Sequence, residues 1–94
     1  MAYRITDDPA KRQRSLDERG LDFLDAARVF EGVTIDSEDV REDYGETRMV
    51  TVGHLRDRMV VVVWTERGDA RHVISMRKAN DRERARYSRR LERS

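Results

Sequence analysis

The stretch RMVTVGHLRDRMVVVVWTERGDARHVISMRKAN, residues 48–80, decides the fold because it contains three strand-like segments separated by two tight turns. We predict strands over 48–55, 59–64 and 71–77. The second segment is apolar throughout and β-branched in its middle, a pattern typical of a central strand covered on both faces. The turns, Arg-Asp and Arg-Gly-Asp, are so short that the strands must pair antiparallel. The stretch therefore predicts an antiparallel β-meander.

The last strand of this meander is the first place to look for function. Regular alternation places every second side chain on the same face of a strand. One face is then predicted to carry Arg71, Val73, Ser75 and Arg77. The other is predicted to carry His72, Ile74 and Met76. Two arginines on one face of the last strand mark that face as the candidate site.

A first helix is predicted ahead of the meander. Asp8 can cap its free N–H groups, and Pro9 fits the first helical position because it has no N–H to leave unpaired. The helix should run to Arg19 and stop at Gly20, which tolerates the left-handed conformation found at helix ends.

A second helix is predicted from Asp22 to Gly32. Its apolar residues follow the spacing i, i+3, i+4, i+7, which produces a stripe that must pack on the sheet. The stripe consists of Phe23, Ala26, Ala27 and Phe30.

The remaining segments complete an α+β arrangement. We expect a short edge strand over 3–5, a further strand over 33–35, and a mobile acidic loop over 36–45. A C-terminal helix over 81–93 should begin with a capping box formed by Asn80 and Glu83. Its inward face is predicted to carry Ala85, Tyr87 and Leu91. This arrangement predicts one domain over 1–94, an antiparallel β-meander packed with two N-terminal helices and one C-terminal helix.

Composition narrows the class of protein. With 94 residues the chain can form one domain with one modest core. It has no cysteine, which excludes disulfides and thiolate metal sites and is compatible with a reducing cytosol. Neither a signal peptide nor a membrane span is apparent. We therefore expect a soluble cytoplasmic protein.

The net charge of +1 conceals an uneven distribution of charge. Residues 17–46 contain eleven acidic and three basic residues, whereas residues 67–94 contain ten basic and four acidic ones. Such a chain can attract a polyanion at one end and a basic partner at the other. Alternatively, the two halves neutralise each other in the fold.

Most catalytic arrangements have no support in the sequence, and we expect no metal or cofactor. The only histidines, His54 and His72, lack neighbours at ligand spacing, and His72 is interpreted as a satisfied core or edge residue. No G-x-S-x-G motif or glycine-rich phosphate loop is present. What remains is a basic constellation together with an acid and a tyrosine. Its members are Lys11, Arg71, Arg77, Lys78, the C-terminal arginines, Glu46 and Tyr87.

This constellation suits metal-free RNA cleavage. The 2′-hydroxyl must lose a proton, the leaving oxygen must gain one, and the extra negative charge on phosphorus must be stabilised. Guanidinium groups serve the last role because they stay cationic and present paired donors. Glu46 can act as general base, with Lys11, His72 or Tyr87 as proton donor. A solvated or merely binding surface is the alternative use of these arginines.

The order and spacing of several short motifs resemble the BrnT family of toxins. They cover residues 8–87 and read Asp8-Pro9-Ala10-Lys11, Gly20, Phe23, Ala26-Ala27, Val29-Phe30, Asp43-Tyr44-Gly45-Glu46-x-Arg48, Thr51-x-Gly53, Val61-Val62-Val63-x-Thr65-x-Arg67, Val73-Ile74-Ser75-Met76-Arg77-Lys78-Ala79-Asn80, Glu83 and Tyr87.

The resemblance implies a RelE-like ribonuclease fold and a cytoplasmic toxin that halts translation by cutting RNA. It also implies a BrnA-type antitoxin with a ribbon-helix-helix domain, in a hetero-oligomer that contacts operator DNA through the antitoxin. The chain departs from the family pattern in its first helix, where Ser15 and Arg19 stand in place of an asparagine and a histidine.

Two classes of function follow. The first is a toxin endoribonuclease in which Arg71 and Arg77 hold the scissile phosphate, with Lys11, Lys78 and Glu46 as secondary residues. Tyr87 would stack on a base or complete the site. The second is a non-catalytic interaction or nucleic-acid-binding module derived from such a toxin.

Overall fold

The fold is a five-stranded sheet with helices on both faces. A computed structural model describes residues 3–92. The strands stand in the order β1-β5-β4-β3-β2. In chain order the elements are β1 (Ile5–Asp7), α1 (Pro9–Arg19), a single 3-10 turn (Phe23–Asp25), α2 (Ala26–Glu31), β2 (Ile35–Asp39), β3 (Arg48–Leu55), β4 (Arg58–Arg67), β5 (Ala70–Lys78) and α3 (Asp81–Glu92).

The antiparallel meander is confirmed. Strand β3 has its predicted bounds, whereas β4 and β5 are longer than predicted. Strand β4 pairs antiparallel with β3 on one side and β5 on the other, so it is central, as its apolar sequence indicates. Val60 and Val62 in this strand are fully buried.

The sheet is mixed rather than wholly antiparallel. The N-terminal strand is Ile5–Asp7 instead of 3–5, and it pairs parallel with β5, with Ile5 opposite Arg71. A three-residue strand contains too few positions for a distant parallel partner to be inferred from local pattern. None of the described helices is long and apolar enough to cross a membrane.

Strand β2 replaces part of the predicted acidic loop. It covers Ile35–Asp39 and pairs with β3 over its whole length. A hydrogen bond of 2.7 Å from the Thr51 hydroxyl to Asp36 reinforces the pairing. Because β2 forms a sheet edge, its outward residues are charged, which hides the alternation expected of a strand. The prediction of an irregular segment over 36–39 was therefore wrong.

The first helix has the predicted bounds and ends. Asp8 accepts hydrogen bonds from the N–H groups of Ala10 and Lys11, and Gly20 adopts a left-handed conformation with φ of 68°. The second helical segment differs from the prediction, because Asp22 caps a 3-10 turn that precedes α2. Ala27 is only partly buried.

The two sheet faces carry separate apolar clusters. The face under α2, here called the helix face, contains Val60, Val62, Trp64, Val73 and Met76. The opposite face, here called the open face, contains Val52, Met59 and Val61, which pack with Leu91 of α3. Helix α3 covers only one end of this face, and Val50, Val63, His72, Ser75 and Arg77 remain half-buried there.

A bulge in β5 changes which residues share a face. Trp64 is opposite Val73 and Val63 is opposite Ser75, so Ile74 is an extra residue without a partner on β4. Regular alternation fails at this point. Val73 and Met76 both lie in the helix-face cluster, and the prediction that they point to opposite sides was wrong.

Helix α3 begins with the predicted capping box. The Glu83 N–H donates to Asn80 Oδ1 at 2.8 Å, and the Asn80 N–H donates to Glu83 Oε1 at 2.9 Å. The helix is described to Glu92, and the predicted end at Arg93 lies outside the described residues. Its inward face differs from the prediction in one residue, because Ala85 is exposed while Tyr87 and Leu91 pack on the sheet.

Candidate functional site

The open face of the sheet carries a row of basic side chains. Register places Arg48 of β3, Arg67 of β4, and His72 and Arg77 of β5 on this face. Arg71 and Lys78 lie on the helix face, because the bulge at Ile74 reverses the alternation between Arg71 and Arg77. The prediction that these two arginines share a face was therefore wrong.

His72 lies at one end of the open face, between Thr6 of β1 and Thr65 of β4. The His72 Nδ1 and the Thr6 hydroxyl are 2.9 Å apart and share a hydrogen bond. Partial burial lowers the pKa of His72, as does the positive charge of Arg67. The imidazole is therefore predominantly neutral at pH 7.

Several charged groups surround this histidine. Asp7 and Glu46 raise the pKa of His72 by their negative charge, and Lys11 lowers it by its positive charge. Glu46 forms an ion pair with Arg67 at 3.7 Å. Lys11 lines a small cavity of about 170 Å³ between α1 and β5. Lys11 and Glu46, predicted from sequence as site residues, thus both act on His72 by their charge.

Arg77 lies at the other end of the open face and is held by α3. Its Nη1 and Nη2 donate to the two carboxylate oxygens of Glu83 at 2.7 and 2.8 Å. The hydrogen bonds from Arg77 lower the pKa of Glu83 to about 2. The Arg77 side chain is 43% exposed. Within residues 3–92 the hydrogen bonds of this guanidinium come from Nη1 and Nη2, and none from Nε.

Arg71 has a structural role instead. Its guanidinium lies 4.1 Å from the ring centres of Tyr3 and Trp64 and 4.6 Å from that of Phe30. Stacking against three aromatic rings holds the cation on the helix face. Arg71 therefore cannot contact a ligand that lies across the open face.

The other two predicted site residues, Lys78 and Tyr87, also lie on opposite faces of the sheet. Lys78 is exposed and pairs with Val60, whose side chain is in the helix-face cluster. Tyr87 is half-buried and packs against the open-face cluster, close to the end of the sheet that Arg77 occupies. Of the six predicted residues, Lys11, Glu46, Arg77 and Tyr87 border the open face.

The acidic segment before β3 is held by its own arginines. Asp39 accepts hydrogen bonds from Arg41 Nε and Nη2, both at 2.9 Å, and these bonds lower the pKa of Asp39 to about 2. Arg48 stacks on the Tyr44 ring, 3.9 Å from its centre. These contacts leave the rim of the open face structured and keep Asp39 ionised.

Sequence reasoning missed Arg67, Arg48 and Thr6 as members of this face. The sequence pattern predicts Arg67 as part of a turn, whereas the length of β4 places it on a strand. Thr6 contacts His72 across 66 positions of sequence, and no local pattern signals such a contact.

The two departures from the family pattern in α1 have structural roles. The Ser15 hydroxyl is buried and donates to the Leu21 carbonyl at 2.7 Å, which fastens the end of the helix. Arg19 Nη1 donates to the Met76 carbonyl at 2.9 Å and so links α1 to β5. The Arg19 guanidinium is thus engaged with the backbone of β5.

No group of three or more histidine, cysteine, aspartate or glutamate residues could hold a metal ion within residues 3–92. The chain forms a small α+β protein whose open face carries basic side chains and a histidine.

A family model described as "Ribonuclease toxin, BrnT, of type II toxin-antitoxin system" matches residues 8–83. The match covers most of the chain, which therefore belongs to this family of ribonuclease toxins. No curated protein matches the chain.

Proposed function

We propose that this protein is a metal-independent endoribonuclease, the toxin of a type II module, and that the open face of the sheet binds its RNA substrate. The observation that carries this proposal is the separation of basic residues by the β5 bulge. Arg67, His72 and Arg77 share the open face with Lys11 at its edge, and Glu46 and Glu83 are paired with Arg67 and Arg77. We further propose that the chain forms one RelE-like domain.

The two ends of the face have different roles. His72 and Arg77 are five residues apart on β5, which corresponds to about 15 Å along the strand. One phosphate cannot contact both, so the RNA backbone runs along β5. Proton transfer occurs at the His72 end, where Lys11 and Glu46 also lie. Arg77 binds a neighbouring phosphate, and a base stacks on the Tyr87 ring.

The reaction is the attack of a 2′-hydroxyl on the adjacent phosphorus. It forms a 2′,3′-cyclic phosphate and releases a 5′-hydroxyl. Fixed cations at the His72 end stabilise the additional negative charge on the phosphate oxygens, which removes the need for a metal ion. Arg67, in addition to Lys11, supplies this charge.

The test is cleavage of a 5′-labelled RNA transcript, free and in a translating extract, with and without EDTA. We expect cleavage that EDTA does not stop and products that end in a cyclic phosphate. Arg77→Ala should raise KM roughly tenfold because one charge-assisted phosphate contact is lost. Lys78→Ala is the matched control, since it removes a cation from the opposite face. Equal effects of the two substitutions would remove Arg77 from the site, and cleavage only with a divalent ion would refute metal independence.

The hydrogen bond from Arg19 to the Met76 carbonyl favours a second candidate function, a non-catalytic RNA-binding module, because it engages Arg19 in the fold. In that case the protein binds RNA with a strong dependence on salt and leaves the strand intact. Growth arrest on expression alone separates the two candidates, because only the nuclease should produce it.

We also propose that a BrnA-type ribbon-helix-helix antitoxin covers the open face with an acidic segment. The exposed arginines of α3 border this face, and a segment that folds on binding can follow both surfaces. The complex would be a cytoplasmic hetero-oligomer that contacts operator DNA through the antitoxin. Co-purified complex should cleave the transcript far more slowly than free toxin, and equal rates would exclude masking.

A further inference from the structure

His72 has a fixed orientation on the open face. Thr6 is directly opposite it on β1 and shares a hydrogen bond of 2.9 Å with its Nδ1. No protein group within residues 3–92 bonds to its Nε2. The Thr6 hydroxyl is able to donate or to accept in this bond. Where it accepts, Nδ1 carries the proton and Nε2 has a free lone pair.

Charged side chains on four neighbouring segments act on His72. Asp7 approaches from β1, Lys11 from α1, Arg67 from β4 and Glu46 from the segment before β3. The two cations and partial burial lower the pKa of His72, and the two acids act against them. The net effect is a lowered pKa, so the ring is neutral at pH 7, the protonation state that a general base requires.

The other candidates for the general base are less suitable. The Glu46 carboxylate is engaged with Arg67 at 3.7 Å, and Arg19 is bonded to the Met76 carbonyl. His54 is exposed, pairs with Met59 at the other end of the sheet, and is remote from Lys11. Among these candidates, His72 alone combines a neutral basic atom with neighbouring cations.

We propose that His72 Nε2 is the general base of the RNA cleavage, and that Thr6 is the residue that positions it; this inference rests on the proposed ribonuclease function. Nε2 takes the proton of the 2′-hydroxyl as the 2′ oxygen forms its bond to phosphorus. The bond from phosphorus to the 5′ oxygen breaks, and that oxygen takes a proton from the Lys11 ammonium. Solvent then returns the proton from His72 to Lys11, so the cycle needs no co-reactant.

The test is the pH dependence of transcript cleavage by the full chain and four variants. His72→Gln keeps a polar side chain but removes the base, and its kcat should fall about 10²- to 10³-fold with loss of the acidic limb of the pH profile. His54→Gln is the matched histidine control and should behave as the unmodified protein. Thr6→Val should lower kcat about tenfold, and Thr6→Ser should restore it because the hydroxyl returns. Thermal melting identifies any variant that has failed to fold.

The outcomes separate the two proposals. A His72→Gln protein that folds and cleaves within threefold of the unmodified chain, or keeps the acidic limb, overturns His72 as the base but leaves the ribonuclease intact. Absence of cleavage by the unmodified chain in both buffer and extract overturns the ribonuclease proposal and this inference together. NMR titration of the His72 ring supplies a readout independent of cleavage. A midpoint above the ordinary value of about 6.5 would contradict the neutral ring on which the inference rests.

Discussion

Replacement of Arg71 tests whether the aromatic stacking is structural. The guanidinium contacts three rings at 4.1 to 4.6 Å, and each cation–π contact at a partly exposed site contributes about 0.5–1 kcal/mol. Arg71→Met retains an unbranched apolar side chain but removes all three contacts, so the free energy of unfolding should fall by about 2 kcal/mol. For a domain of this size such a loss lowers Tm by roughly 10 °C.

The assay is urea denaturation followed by Trp64 fluorescence, with cleavage measured per folded molecule. Arg71→Lys is the comparison variant, because it keeps the charge but loses the planar group that stacks. We expect cleavage by the folded fraction to be unchanged in both variants. A variant of full stability that has lost cleavage would refute the structural role and return Arg71 to the site. A change in unfolding free energy below about 0.5 kcal/mol would refute the energetic estimate.

Two further predictions concern stability. Gly53→Ala should destabilise the fold by about 1–3 kcal/mol, because a Cβ there would lie 2.8 Å from Val29 Cγ1. Gly32→Ala is the control and should destabilise it much less, since its Cβ would lie 3.6 Å from the nearest atom. Equal melting temperatures for the two variants would contradict this prediction. Folding lowers the pKa of Glu83 from 4.5 to about 2, so the ionised carboxylate stabilises the folded protein above pH 4.5. This contribution to the free energy of unfolding is on the order of 2–3 kcal/mol, and it is lost as the pH falls through 4.5 towards 2. Glu83→Gln keeps an acceptor for the capping box, so it should flatten this acid dependence without abolishing α3, and an unchanged slope of stability against pH would refute the assignment.

Local chemistry was sufficient to predict most of the fold. Caps at Asp8 and Asn80, the end of α1 at Gly20, and the short turns of the meander all depend on residues close in sequence. Each of these features depends on the conformation or hydrogen bonding of the local backbone, so the sequence pattern is sufficient to predict it.

Features that depend on distant contacts could not be predicted. The parallel pairing of Ile5 with Arg71 joins segments far apart in the chain, and charges on the edge strand hide its alternation. Charge type alone could not distinguish an arginine stacked on Trp64 from one that faces solvent.

The candidate site was predicted in part. Lys11 and Glu46 were chosen for their chemistry, and both lie beside the open face. Arg71 was chosen from regular alternation, which the bulge at Ile74 interrupts. The sequence predicts His72 as a satisfied core or edge residue, and its half-buried ring bonded to Thr6 of the edge strand agrees with that prediction.

The extra residue in β5, Ile74, exchanges the faces to which odd- and even-numbered side chains point. Deletion of Ile74 would restore uniform alternation and turn every side chain from Ser75 onward to the reverse side of the sheet. Met76 would then face water, and Arg77 would be driven into the apolar interior. One residue with no partner on the neighbouring strand thus decides which of two arginines, six positions apart, is available to a ligand.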